Sequence, residues 1–184
     1  MKIAFIGTHG IGKTTLAYEL CNELKKRHLD VGFIDEIARR CPFPINESTS
    51  LEAQTWIIAT TIARELELSK IYPNIICDRS VFDNYVYLFH KFGHIPEIHG
   101  LVRYWAKTYD LLFKVPFTRK FLRPDGVRST DLEFQESIDL KLTDLLREDG
   151  VAYRDHDVMS TTVETILEYH LDRVGPLQIR IPGI

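Results

Sequence analysis

The sequence predicts an α/β fold, a mainly parallel five-stranded sheet with helices on both faces. Two observations predict it. Short apolar runs alternate along the chain with helical stripes, and each parallel strand pair needs a crossover that such a stripe can supply. The first apolar run also passes directly into a glycine turn and then a helix.

Lys2 to Ile6 reads as a buried strand, Gly7-Thr8-His9-Gly10 as the turn after it, and Leu16, Leu20 and Leu24 as the buried stripe of the first helix. Val31 to Ile34 is a second strand. Leu51 to Ser69 contains neither Gly nor Pro and reads as helix. Asn74 to Cys77, built on Ile75 and Ile76, is a third strand. Val81, Tyr85, Leu88, Phe89 and Phe92 form one helical face, with a polar face through Asp83, Tyr87 and Lys91. Leu111 to Val115 is a fourth strand, Asp131 to Glu148 a charged amphipathic helix, Val151 to Tyr153 a fifth strand, and Thr161 to Arg173 a last helix. Residues 116–130 read as an irregular basic segment and 175–184 as a tail. Tyr104, Trp105 and Tyr109 are assigned to core or pocket wall rather than to a stacking platform for nucleic acid.

A chain of 184 residues with 45% hydrophobic side chains fits one domain spanning residues 1–184. Its 23 basic and 26 acidic residues give a net charge of -3, so no general positive field exists to hold nucleic acid. Phosphate binding must therefore be local. Cys21, Cys41 and Cys77 form no CxxC pair and read as free thiols of a reducing compartment. His90, His94 and His99 match no familiar metal-ligand spacing. The apolar run at Ile3 to Ile6 is too short for a signal segment or a membrane span, so a cytoplasmic protein without a membrane partner is expected. A homodimer is left open.

The chemistry begins at Gly7-Thr8-His9-Gly10-Ile11-Gly12-Lys13-Thr14, which fits the pattern G-x-x-x-x-G-K-S/T between a strand and a helix. Glycines let backbone N–H groups turn inward around phosphate oxygens, and the helix N-terminus adds positive potential. Gly7, His9, Gly10, Ile11, Gly12, Lys13, Thr14 and Thr15 are accordingly expected to hold ATP. Lys13 reaches the terminal phosphates, Thr14 offers its hydroxyl to Mg²⁺, and Thr15 has no fixed role of that kind. Two strand-end acidic sites compete for the metal side. Asp78 is assigned to Mg²⁺ because its strand is expected beside the loop strand, and Glu36 to the acceptor side. Strand alternation turns one of Asp35 and Glu36 away, so these two can exchange roles. Arg39, just past Glu36, could bind an acceptor phosphate. Arg119, Lys120, Arg123 and Arg128 crowd one irregular stretch where a lid, at about residues 116–130, could close on phosphates.

These residues resemble the P-loop nucleoside and nucleotide kinases, and among them the AAA-type ATP-binding domains related to ribosylnicotinamide kinase. The likeness runs from Met1 to about Val174 and implies a three-layer P-loop NTPase fold with a lid. Asp78-Arg79-Ser80-Val81-Phe82-Asp83-Asn84-Tyr85-Val86-Tyr87 looks like the Asp-Arg-Tyr segment of thymidylate kinases and the Glu-Arg-Ser segment of deoxynucleoside kinases. It departs from the former at Ser80 and Asp83. By that likeness Arg79 faces phosphates, while Asp83 and Tyr87 face the acceptor. Arg123-Pro124-Asp125-Gly126-Val127-Arg128 resembles the Asp-Gly-Leu-Arg lid segment of the ribosylnicotinamide kinase group, which assigns Arg128 to the donor phosphates. Gln54 stands where deoxynucleoside kinases carry a base-reading glutamine.

The expected activity is transfer of the ATP γ-phosphate to a nucleoside or nucleotide, with Lys13, Glu36, Asp78, Arg79 and Arg128 as the catalytic set. The alternatives are an ATPase or nucleotide switch acting on a protein partner, suggested by Phe33-Ile34-Asp35-Glu36, and a kinase of nucleic acid ends or modified bases. No Asn-Lys-x-Asp guanine-reading motif is present.

Overall fold

A computed structural model describes residues 1–45, 48–118 and 132–174. Five parallel strands form one sheet: β1 (Lys2–Ile6), β2 (Val31–Ile34), β3 (Asn74–Cys77), β4 (Leu111–Lys114) and β5 (Arg154–Asp155), in the order β2-β3-β1-β4-β5. Between and around them run α1 (Lys13–Lys26), α2 (Leu51–Ser69), α3 (Val81–Phe92), α4 (Pro96–Ala106), α5 (Leu132–Glu148) and α6 (Met159–Val174). The chain starts at the central β1, runs out to the edge at β2 and comes back to β3 beside β1. It then crosses to β4 on the other side, so the C-terminal ends of β1 and β3 lie side by side where the strand order reverses. That switch in strand order is where open α/β sheets bind ligands.

Strand alternation sorts the core into two layers. Ile3 and Phe5 face Leu20, Leu24 and Ile166 of α1 and α6. Ala4 and Ile6 face the opposite side, with Ile57, Phe82, Tyr85, Ile138 and Leu142 of α2, α3 and α5. Helix starts are locally encoded. Ser50 accepts from the Ala53 amide at α2, and Ser80 caps α3 in a reciprocal box with Asp83. Among the described residues no helix is long and apolar enough to cross a membrane.

Three sequence expectations change. The fifth strand lies at Arg154–Asp155, paired with Phe113 and Lys114, not at Val151 to Tyr153. Val151 follows the left-handed Gly150 that ends α5, and its amide still bonds back to Leu146, so the apolar run packs on the core before the chain reaches the ladder. Helix α4 was not apparent from periodicity, although Pro96 stands at a first-turn position that suits proline. Tyr104 on α4 is 68% exposed and belongs to neither core nor pocket, whereas Tyr109 is buried and donates its hydroxyl to Glu65.

Candidate active site

The loop between β1 and α1 owes its shape to backbone that a side chain would obstruct. Gly12 has φ 96° as it enters α1. Gly7 has φ 140°, and a Cβ there would stand 2.6 Å from Ile11 Cδ1 and 3.1 Å from the Val115 carbonyl oxygen. Lys13 is buried at the start of α1. Its Nζ donates to the Gly7 carbonyl at 2.8 Å and to the Thr8 carbonyl. Burial pushes the Lys13 pKa down to about 7. Arg79 adds to the shift, while Asp83, Asp78 and Glu36 oppose it.

Asp78 follows β3, immediately beside the loop, as the sequence predicts. The Thr14 hydroxyl donates to Asp78 Oδ2 at 2.6 Å. Burial pushes the Asp78 carboxyl above its ordinary range, against the opposing effects of Thr14, Lys13 and Arg79. A hydroxyl and a carboxylate side by side form a hard-oxygen pair that fits Mg²⁺, which takes few protein ligands and keeps several waters. Thr15 is exposed on the outer side of α1.

A largely apolar pocket opens beside Glu36 and Arg79. Ala38, Ile45 and Ile57 line it together with His9, Glu36, Arg39, Gln54, Arg79, Asn84 and Tyr87. The alternation left open by the sequence resolves here. Glu36 is buried and turns inward, whereas Asp35 turns outward and pairs with Arg40, away from both pockets. Glu36 Oε1 accepts from Arg79 Nε at 2.8 Å, and its Oε2 accepts from Arg39 Nε at 2.9 Å. Burial works against the Arg79 charge, but Glu36, Tyr87, Asp83 and Asp78 around it hold the guanidinium firmly protonated. Gln54 is buried near the start of α2 and donates to the Thr49 hydroxyl at 2.8 Å.

Tyr87 lines this pocket and shares a 2.9 Å hydrogen bond with His9 Nδ1 of the phosphate loop. Asp83, expected on the acceptor side, lines neither the pocket beside Tyr87 nor the phosphate loop's own pocket. Its Oδ2 accepts from the Ser80 amide and hydroxyl, and its Oδ1 accepts from the Gly7 amide at 2.8 Å. The expected polar face of α3 is thus turned inward at Asp83, where it anchors the first residue of the phosphate loop.

Asn84 was missed by the sequence reading. It lies three residues before Tyr87 on the same helical side, a spacing that could have revealed it. Gln135 was missed too. Its Nε2 donates to the His9 carbonyl at 2.7 Å from α5, and a contact between such distant residues leaves no local signal. Arg128 and most of the expected lid fall outside the described residues, as does the tail.

A second, smaller pocket is the phosphate cradle itself, lined by Gly10, Gly12, Lys13, Thr14, Asp78, Glu36 and Arg79. Glu36 and Arg79 therefore border both pockets.

The family model described as an AAA domain matches residues 2–165. No curated protein matches the chain. Deoxyadenosine kinase from M. mycoides, solved with the products dCMP and a flexible dCDP, is similar in structure, with a TM-score of 0.61 and 15% identity over 91% of this chain and 97% of that one. Thymidylate kinase from Ehrlichia chaffeensis gives 0.63 and 18%, again over 91% and 97%. NadR in complex with NR gives 0.69 and 18%, over 91% of this chain but 51% of NadR, so the chain spans about half of that protein's length. At such identities the likeness establishes the fold. The three-layer arrangement around a five-stranded parallel sheet is the one these kinases share.

Proposed function

The chain belongs to the AAA domain family, and from that premise we propose that it is an ATP-dependent small-molecule kinase. It transfers the γ-phosphate to a nucleoside-type or nucleotide-type acceptor. The observation that carries this reading is the junction of two pockets. A phosphate cradle and a largely apolar, polar-tipped pocket meet at Glu36 and Arg79, which is where a transferring phosphoryl group must pass from donor to acceptor. The kinases named above support it by fold.

In this reading the loop amides and Lys13 hold the donor phosphates, and Arg79 neutralises charge at the junction. Glu36 orients the acceptor hydroxyl or takes its proton. Gln54 and Asn84 present amides to a base edge, and Ala38, Ile45 and Ile57 enclose its faces. Arg39 suits an acceptor that carries a phosphate. Arg128 is assigned to the donor phosphates from the sequence alone. Mg²⁺ beside Thr14 and Asp78 supplies neutralisation of the phosphate oxygens.

Incubating the protein with MgATP and a panel of nucleosides, nucleoside monophosphates and oligonucleotides, with phosphate transfer as the readout, tests the proposal. Transfer to a nucleoside or monophosphate is expected. ATP hydrolysis without transfer to any of them would favour the nucleotide-switch alternative, and transfer to oligonucleotides alone would favour the nucleic-acid one.

A further inference from the structure

A phosphate loop works by turning N–H groups inward, so its carbonyls must turn outward and find donors elsewhere. Three consecutive carbonyls of this loop have such donors. Those of Gly7 and Thr8 are taken by Lys13, the side chain expected to serve the phosphates. The carbonyl of His9 is held by Gln135 Nε2 at 2.7 Å. Gln135 is fully buried at the end of the first turn of α5, and its Oε1 meets no partner among the described residues. The amide orientation follows: the oxygen end facing the His9 carbonyl would set two acceptors against each other. Its neighbour Phe134 packs on the His9 ring, with centroids 5.7 Å apart, and on Tyr87 at 6.1 Å. Helix α5 therefore holds His9 by both backbone and ring.

We propose that Gln135 is a positioning residue for triphosphate binding, fixing the phosphate loop in its anion-accepting shape through the His9 carbonyl. The proposal rests on the phosphate-loop reading above. Its physical basis is independence from Lys13. When Lys13 Nζ turns to a phosphate it releases the Gly7 and Thr8 carbonyls, and the Gln135 bond is then the tether that keeps the middle of the loop from turning a carbonyl inward. Removing the donor of a buried bond of this kind costs the His9 carbonyl that hydrogen bond, which disfavours the correct loop shape.

The test is MgATP affinity of the full chain by titration calorimetry, for the parent, Gln135→Met and Gln135→Glu, with circular dichroism and thermal melting on each. Gln135→Met keeps length and apolarity but has no donor, and binding about ten-fold weaker is expected from a folded variant. Gln135→Glu can donate only when protonated, so its affinity relative to the parent should be low at about pH 8 and recover toward about pH 5.5. A merely structural role would move the melting temperature of Gln135→Glu in step with its affinity, whereas the positioning role changes affinity at pH values where the melt shows the variant fully folded. Parent-like affinity in both variants, or a pH-independent deficit in Gln135→Glu, overturns the positioning role while leaving the loop assignment intact. A parent that fails to bind MgATP at all overturns the loop reading itself, and this proposal with it.

Discussion

Arg79 and Glu36 are paired at 2.8 Å with each side chain only 8% exposed, and the pair stands at the junction of the phosphate cradle and the acceptor pocket. Two charges this deep are retained at a cost in desolvation, so their value is judged better by function than by stability. Glu36→Gln preserves shape and removes the charge. It is expected to lower single-turnover transfer by about 10² to 10⁴ while leaving MgATP affinity nearly unchanged, because general-base and orienting losses have that size. A merely twofold decrease removes Glu36 from the role. Asp35→Asn should behave like the parent, since Asp35 pairs outward with Arg40.

Asp78→Asn should weaken Mg²⁺-dependent nucleotide binding more than Mg²⁺-free binding. The hydroxyl of Thr14 can still donate to the amide oxygen, so the local hydrogen bond survives while the charge does not. Burial raises the Asp78 pKa, and Mg²⁺ needs the ionised form, so Mg²⁺-dependent affinity should decrease on acidification at a higher pH than an ordinary carboxylate would give. Equal effects of Asp78→Asn with and without metal would exclude the metal role.

Lys13 gives a signature in proton uptake. With its pKa pushed down to about 7, the free protein carries a largely neutral Lys13 above that pH. A bound triphosphate favours the charged amine, so binding must take up a proton, and affinity should decrease as pH rises above about 7. The sign for folding is opposite to that of a stabilised amine. The unfolded chain holds this proton up to its ordinary pKa of 10.5, so the shift makes stability increase with pH between about 7 and 10.5. Calorimetry at about pH 8 in buffers of different ionisation enthalpy measures the uptake. Lys13→Ala should lose most MgATP affinity while remaining folded; unaltered binding and turnover in that variant would falsify the loop assignment.

The phosphate loop and four of the five strands were legible because each is written in consecutive residues: an apolar run, a glycine at a required backbone angle, a lysine at fixed spacing. Asp78 was legible for the same reason, as the residue that ends a recognisable strand. Long-range pairings were not. Whether Glu36 or Asp35 faces inward depends on how the chain leaves β2, and the bond from Gln135 to His9 depends on where α5 docks. Family likeness placed Asp83 on the acceptor side, and the structure pairs its carboxylate with Ser80 and Gly7. Its Oδ2 is engaged locally, by Ser80 three residues back, but the bond from the Gly7 amide to Oδ1 forms only where α3 meets the end of β1.

Asp83 therefore yields the most discriminating mutation. Its Oδ2 closes the cap of α3 and its Oδ1 holds the Gly7 amide, so the side chain joins the helix that carries Tyr87 and Asn84 to the loop that carries Lys13. Asp83→Ala removes its half of the capping box, while Ser80 still caps α3, and takes the acceptor from the Ser80 and Gly7 amides, a combined loss of about 2 to 4 kcal/mol measured by urea unfolding. Asp83→Asn keeps one acceptor oxygen, and its amide must then face either the Gly7 amide or the Ser80 amide. It should recover only part of the loss. If Asp83 instead contacted the acceptor, Asp83→Asn would raise the acceptor KM with stability unchanged. The expected result is the reverse: reduced stability and weaker MgATP binding through the loosened Gly7 turn, with the acceptor KM at saturating MgATP close to that of the parent.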